Sequence, residues 1–174
     1  FLNKAVVSHN TMQVSPTFNG QKEMLSLRAP CSTSCGGGSG SYYPTKGLDG
    51  ANAATRYVII SDNLVKTNTY AGIQIVQVNP NDSTLVRDVI IERNWSPSAS
   101  GGGSQIRVTG VDVTVRNNVI NLTNAVVDAR IGIEVDGATA GMAAPDGVYL
   151  YNNTIYSGAT NDMMGVYIKG GTNI

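Results

Sequence analysis

The sequence predicts an all-β fold of short parallel strands wound in successive coils. Three observations predict it. Five stretches read alike: residues 5–12, 58–65, 89–96, 113–120 and 148–155 each carry apolar residues five and three places before an asparagine. In most of them another apolar residue follows two places after it. Behind each comes a second short alternation of period two, rich in β-branched residues, at 24–28, 72–76, 105–109, 132–136 and 165–169. Helix signals are nearly absent, since no segment of a dozen residues combines 3.6-residue periodicity with a cap.

The elements follow in order. Residues 5–12 and 24–28 make the first coil, a strand ending in a polar bend and then a second strand. A long excursion at about 30–55 holds Cys31, Cys35, Gly36-Gly37-Gly38 and Tyr42-Tyr43. The repeat resumes at Val58, so this Gly/Ser/Cys loop is an insertion and residues 1–174 read as one domain. Asn79-Pro80-Asn81-Asp82 closes the second coil, and Ser96-Pro97 with Gly101-Gly102-Gly103 interrupts the third. Ala144-Pro145-Asp146-Gly147 leads into the fifth. Irregular spacing of the asparagines means that loops vary while strands keep register.

Parallel coils fit better than hairpins, because tight Asn-Gly turns between alternating strands are missing. Stacking puts like residues over like at about 4.8 Å. Two inward columns arise on the first face: Ala5, Val58, Val89, Val113, Val148 and Val7, Ile60, Ile91, Val115, Leu150. Two more arise on the second face: Leu25, Ile73, Ile106, Ile133, Val166 and Leu27, Ile75, Val108, Val135, Ile168. All twenty positions are apolar. The bend collects Asn10, Asn63, Asn94, Asn118 and Asn153, whose amides can form a structural ladder from coil to coil; an asparagine there also tolerates the left-handed conformation.

The 174 residues carry 12 basic and 12 acidic groups, a formal net charge of zero. No Lys/Arg cluster offers a nucleic-acid surface. No apolar run approaches the roughly 20 residues of a membrane-spanning helix. Cys31 and Cys35 can close a small disulfide in an exported protein or stay as two free thiols, and they are too few for a structural zinc. No His/Cys/Asp set has metal spacing, so no metal is assigned. The lone histidine, His9, reads as a solvated bend residue rather than a general base.

The signature V-x-I-x-x-N-x-I, five times repeated, resembles the single-stranded, right-handed parallel β-helix proteins of the pectate-lyase-like superfamily over nearly the whole chain. The resemblance implies a solenoid of about five coils. The strand pattern is already under way at Phe1 and another strand would begin at Ile174, so the sequence reads as a segment of a longer helix or as a mature chain whose leader was removed. That class hosts lyases, hydrolases, epimerases, tailspikes and adhesins, so it is specific for architecture and poor for activity. It implies an extracellular or cell-surface setting and a polysaccharide partner. The function expected is polysaccharide binding or degradation, of lyase or hydrolase type.

Outward positions of the second face supply the candidates. Arg107, Glu134, Asp136 and Lys169 are the catalytic candidates, and Arg28, Gln74 and Tyr167 the substrate-binding ones. In a lyase an Arg or Lys takes the C5 proton and a second cation, or calcium, neutralises the uronate. Calcium is therefore expected only under the lyase reading. Glu134 and Asp136 lie about 6.5–7 Å apart by strand geometry, inside the range of glycosidase carboxylate pairs. The plainer reading makes Arg107–Glu134 and Asp136–Lys169 ion pairs on a wet surface, each worth under about 1 kcal/mol. Tyr149 and Tyr151, outward on the first face, can stack on sugar rings or cover the sheet under a loop or subunit. The alternative function is a non-catalytic structural or adhesive β-helix. Its open ends would stack on another copy or on further coils of its own.

Overall fold

The computed structural model describes residues 3–13, 23–28, 55–66, 71–76, 86–97, 103–123, 130–137, 144–158 and 163–174. All regular elements among them are strands, in five rounds of three. β1 (Asn3–Ser8), β2 (Thr11–Gln13) and β3 (Glu23–Arg28) form the first round. β4 (Thr55–Ser61), β5 (Leu64–Lys66) and β6 (Ala71–Val76) form the second. β7 (Val86–Glu92), β8 (Trp95–Ser96) and β9 (Gly103–Val108) form the third. β10 (Val111–Arg116), β11 (Val119–Asn121) and β12 (Arg130–Val135) form the fourth. β13 (Asp146–Tyr151), β14 (Thr154–Tyr156) and β15 (Met163–Ile168) form the fifth.

Each round adds one strand to each of three five-stranded sheets. Their orders are β1-β4-β7-β10-β13, β2-β5-β8-β11-β14 and β3-β6-β9-β12-β15. Every pairing is parallel. The register sets Ala5 beside Val58, Val58 beside Val89, Val89 beside Val113 and Val113 beside Val148. On the third sheet Leu25, Ile73, Ile106, Ile133 and Val166 are likewise neighbours. These columns feed one apolar core that includes Val58, Ile60, Ile91, Val113, Ile133 and Val135. On the edge strand β15 the equivalent Val166 and Ile168 are about half exposed, at 48% and 50%.

Sequence periodicity gives two strands per round and the structure has three. The residues just after the ladder asparagine, read as the tail of the bend, form the second sheet. Runs of two or three residues are too short to show an alternation, yet their backbone pairs from round to round. The amide of Leu64 donates to Asn10 O at 2.8 Å, that of Trp95 to Asn63 O at 2.8 Å and that of Val119 to Asn94 O at 2.9 Å. Ile120 and Val65 of this sheet enter the core.

The left-handed residue of the bend is not the ladder asparagine but the one before it. His9, Asp62, Arg93, Asn117 and Asn152 have φ between 52° and 57°. A second left-handed column precedes the first inward residue of the first sheet: Lys4, Tyr57, Asp88, Asp112 and Gly147, with φ from 51° to 63°. Stacked rounds must turn at the same place each time, so the strained conformation recurs whatever side chain occupies it.

Candidate functional site

The bend asparagines form a continuous chain of hydrogen bonds. Each donates its backbone and side-chain N–H groups to Oδ1 of the next: Asn10 to Asn63, Asn63 to Asn94, Asn94 to Asn118 and Asn118 to Asn153, all at 2.9–3.1 Å. The second amide proton goes back to the preceding round, from Asn63 to Val7 O, Asn94 to Ile60 O, Asn118 to Ile91 O and Asn153 to Val115 O. Asn63, Asn94 and Asn118 are buried. Their amides are fully engaged in holding rounds together, which leaves them no free group for a ligand. His9, beside this column, is exposed.

Arg107, Glu134, Asp136 and Lys169 meet in one cluster on the third sheet. Glu134 is the register partner of Arg107 and of Tyr167. An Arg107 Nη atom donates to Asp136 Oδ2, and Arg107 Nε lies 3.8 Å from Glu134 Oε2. Lys169 Nζ stands 2.6 Å from Glu134 Oε1 and 3.8 Å from Asp136 Oδ1. Ser104 Oγ donates to Glu134 Oε2 at 2.7 Å. The hydrogen bond to Glu134 is the chief cause that raises the Lys169 pKa above its ordinary value. Lys169 Nζ also lies 5.5 Å from the centre of the Tyr167 ring.

Strand alternation predicts that these side chains face water. Arg107, Glu134 and Asp136 are instead buried, Asp136 completely. The cluster is therefore not a set of wet surface pairs. Arg107, Glu134 and Asp136 neutralise one another out of solvent, where breaking a pair is costly, and Lys169 closes the cluster from its exposed side. A lyase base needs a lowered pKa and an open approach, and Lys169 has the opposite shift. A calcium site needs six to eight oxygens. Here two carboxylates already face two cations, and among the described residues no group of three His, Cys, Asp or Glu is placed to hold a metal. The donor set does not fit calcium.

Of the other candidates, Tyr167 joins this cluster by its pairing with Glu134 and its contact with Lys169. Arg28 and Gln74 occupy β3 and β6, beside Val76 and Arg107 in register, but their side chains lie outside the described ones. Cys31 and Cys35, and the loop that carries them, also lie outside the described residues. No helix among the described residues is long and apolar enough to cross a membrane.

The outward face of the first sheet carries a second, exposed group. Tyr149 and Tyr151 project from β13 and are 55% and 42% exposed. Their register partners are Thr114 and Arg116. Arg116 Nη1 donates to the Tyr151 hydroxyl at 2.9 Å, and its guanidinium carbon sits 6.0 Å from the Tyr151 ring centre. Arg116 also donates from Nε to Glu92 Oε2 at 2.7 Å. Arg93 donates to Glu92 Oε1 at 2.5 Å and to both Asp62 oxygens at 2.8 and 2.9 Å. A chain of alternating charge thus climbs from Asp62 to Tyr151. Its members sit at fixed offsets from the ladder asparagines, so aligning the repeats makes them legible in the sequence.

Comparison with protein-family models, curated proteins and solved structures returned no match.

Proposed function

We propose that the three sheets are the faces of one right-handed parallel β-helix, which binds an extracellular polysaccharide without cleaving it. Two features support the fold. Each round returns the chain to the same three sheets, and parallel crossover connections are right-handed in about 98% of cases. The pectate-lyase-like relationship rests on the repeated signature alone.

The observation that carries the non-cleaving reading is the closed cluster of Arg107, Glu134, Asp136 and Lys169. Each of these groups with proton-transfer chemistry is bonded to another, three of them are buried, and the lysine is held more firmly protonated. Such a cluster staples neighbouring rounds of the third sheet. Among the described residues, the side chains on offer to a ligand include the outward tyrosines of the first sheet, with an apolar ring and a polar tip.

The self-associating alternative draws on the exposed Val166 and Ile168. Against it, residues 172–174 already lie over β13: Gly147 N donates to Thr172 O and Val148 N to Asn173 O, each at 3.1 Å. A copy stacked in register would bring its residues 3–5 to that place.

The test pairs two assays on one preparation. Incubation with pectate, alginate and neutral glycans should give no rise in absorbance near 235 nm and no new reducing ends, while cosedimentation with at least one insoluble glycan shows binding. Turnover abolished by Glu134→Gln would return the cluster to catalysis and overturn this reading.

A further inference from the structure

We infer that the outward face of the first sheet takes an uncharged glycan, with Tyr149 and Tyr151 as stacking platforms and Arg116 holding Tyr151 in place. The inference rests on the polysaccharide-binding reading and narrows it to a site and a substrate class.

The two tyrosines are alternate residues of one strand, so their rings emerge on the same side about 6.5–7 Å apart. Backbone at both positions is fixed by parallel pairing to Thr114 and Arg116. A rigid strand therefore sets the spacing of the platforms before a ligand arrives, which lowers the ordering cost of binding. Tyr151 is held further, because its hydroxyl accepts a hydrogen bond from Arg116. Pyranose rings have one face of C–H groups, and an exposed phenol ring is a flat apolar surface of matching size. Next along the same outward column, Ile90 and Thr114 continue with side chains that carry no charge.

Charge bookkeeping selects the ligand. Three guanidiniums around this face are already committed. Arg116 is bonded to Glu92, and Arg93 to Glu92 and Asp62. Arg87 lies 3.0 Å from Asp88 and 2.8 Å from Asp112. A polyuronate would have to displace a carboxylate that is held on the same frame, and it would bring its own charge beside Glu92. An uncharged chain meets neither penalty. Hydroxyl groups along its edge can still bond to carboxylate oxygens and to the Tyr149 hydroxyl.

Affinity electrophoresis and titration calorimetry with cello-, manno- and xylo-oligosaccharides against oligogalacturonate and oligoalginate provide the test. The expected result is binding to a neutral series that changes little between about 50 and about 500 mM salt, as an uncharged contact should. Tyr149→Ala and Tyr151→Ala should each weaken it by about two- to tenfold, the scale of one aromatic contact. Tyr151→Phe keeps the ring and should retain most of the affinity. Thermal melts of the three variants separate loss of fold from loss of binding. Preference for the uronates, or neutral binding untouched by both alanine variants, would overturn the inference and leave the polysaccharide reading standing. Absence of binding to every glycan would overturn both.

Discussion

Asn94 Nδ2 donates to Asn118 Oδ1 at 3.0 Å inside the bend, and both asparagines are buried. The same amide of Asn94 also reaches Ile60 O in the round before, at 2.9 Å. One side chain thus ties three consecutive rounds. Removing it strands polar groups that water cannot reach.

Asn94→Ala should therefore destabilise the fold by about 2–4 kcal/mol, from the loss of partners to the buried Asn63 and Asn118 amides and to Ile60 O. Asn94→Asp keeps the acceptor and loses the donors, so it should also destabilise. Urea unfolding gives both values. A change below about 0.5 kcal/mol for the alanine variant would mean that the ladder is not a stabilising element.

The buried charges make a sharper case. Asp136→Asn or Arg107→Met alone leaves an uncompensated partner and should cost about 3–5 kcal/mol. The double variant should recover much of that loss, because no charge is then left unpaired. Additive losses in the double-mutant cycle would show that the two residues do not act as a pair.

Strain at the left-handed columns is open to relief. Tyr57 has φ of 57° and an exposed side chain. Tyr57→Asn should stabilise by about 0.5–1 kcal/mol, because asparagine tolerates this region. Gly147 is the converse: with φ of 63°, a Cβ there would stand 2.7 Å from Asp112 Oδ1. Gly147→Ala should destabilise by about 1–2 kcal/mol. Thermal melts that rank the two variants the other way round would contradict the assignment of this column.

Stability should form a plateau in pH with a fall at each end. Asp62 is held below its ordinary 3.8, chiefly by the Arg93 hydrogen bond. For Glu92, burial pushes the value up, but hydrogen bonds from Arg116 and Arg93 outweigh it and the net shift is below 4.5. These carboxylates are more acidic folded than unfolded. Their contribution is complete above about pH 4.5 and is lost as pH falls through the folded values. Lys169 is shifted above 10.5, so its contribution is complete below that pH and is lost as pH rises through the folded value. Urea midpoints across pH should show both limbs, and Glu92→Gln should flatten the acid one. Greatest stability below pH 4 would contradict the pairing.

The sequence made the apolar columns legible because stacking repeats one environment at one offset: Val58, Val89 and Val113 are interchangeable for the core and so stayed alike. The ladder asparagines were legible for the same reason. β8, two residues long, gave no period to read. The column of Lys4, Tyr57, Asp88, Asp112 and Gly147 shares a backbone conformation and no side-chain type, so nothing marked it. Burial of Glu134 and Asp136 was hidden because alternation assigns a side of the strand and not the solvent there. The link from Arg116 to Tyr151 needed the register of β10 and β13, which repeat alignment supplies.

Register between rounds is the claim on which the rest depends, and a cysteine cross-link tests it most directly. In a background with Cys31 and Cys35 replaced by serine, Ile90→Cys with Thr114→Cys places two thiols on adjacent strands, about 4.8 Å apart at the backbone and within disulfide reach. Ile90→Cys with Tyr149→Cys places them two rounds apart, at about 9.6 Å, beyond it. The account predicts that mild oxidation closes the first pair and leaves the second open. Closure of the second pair without the first would contradict it.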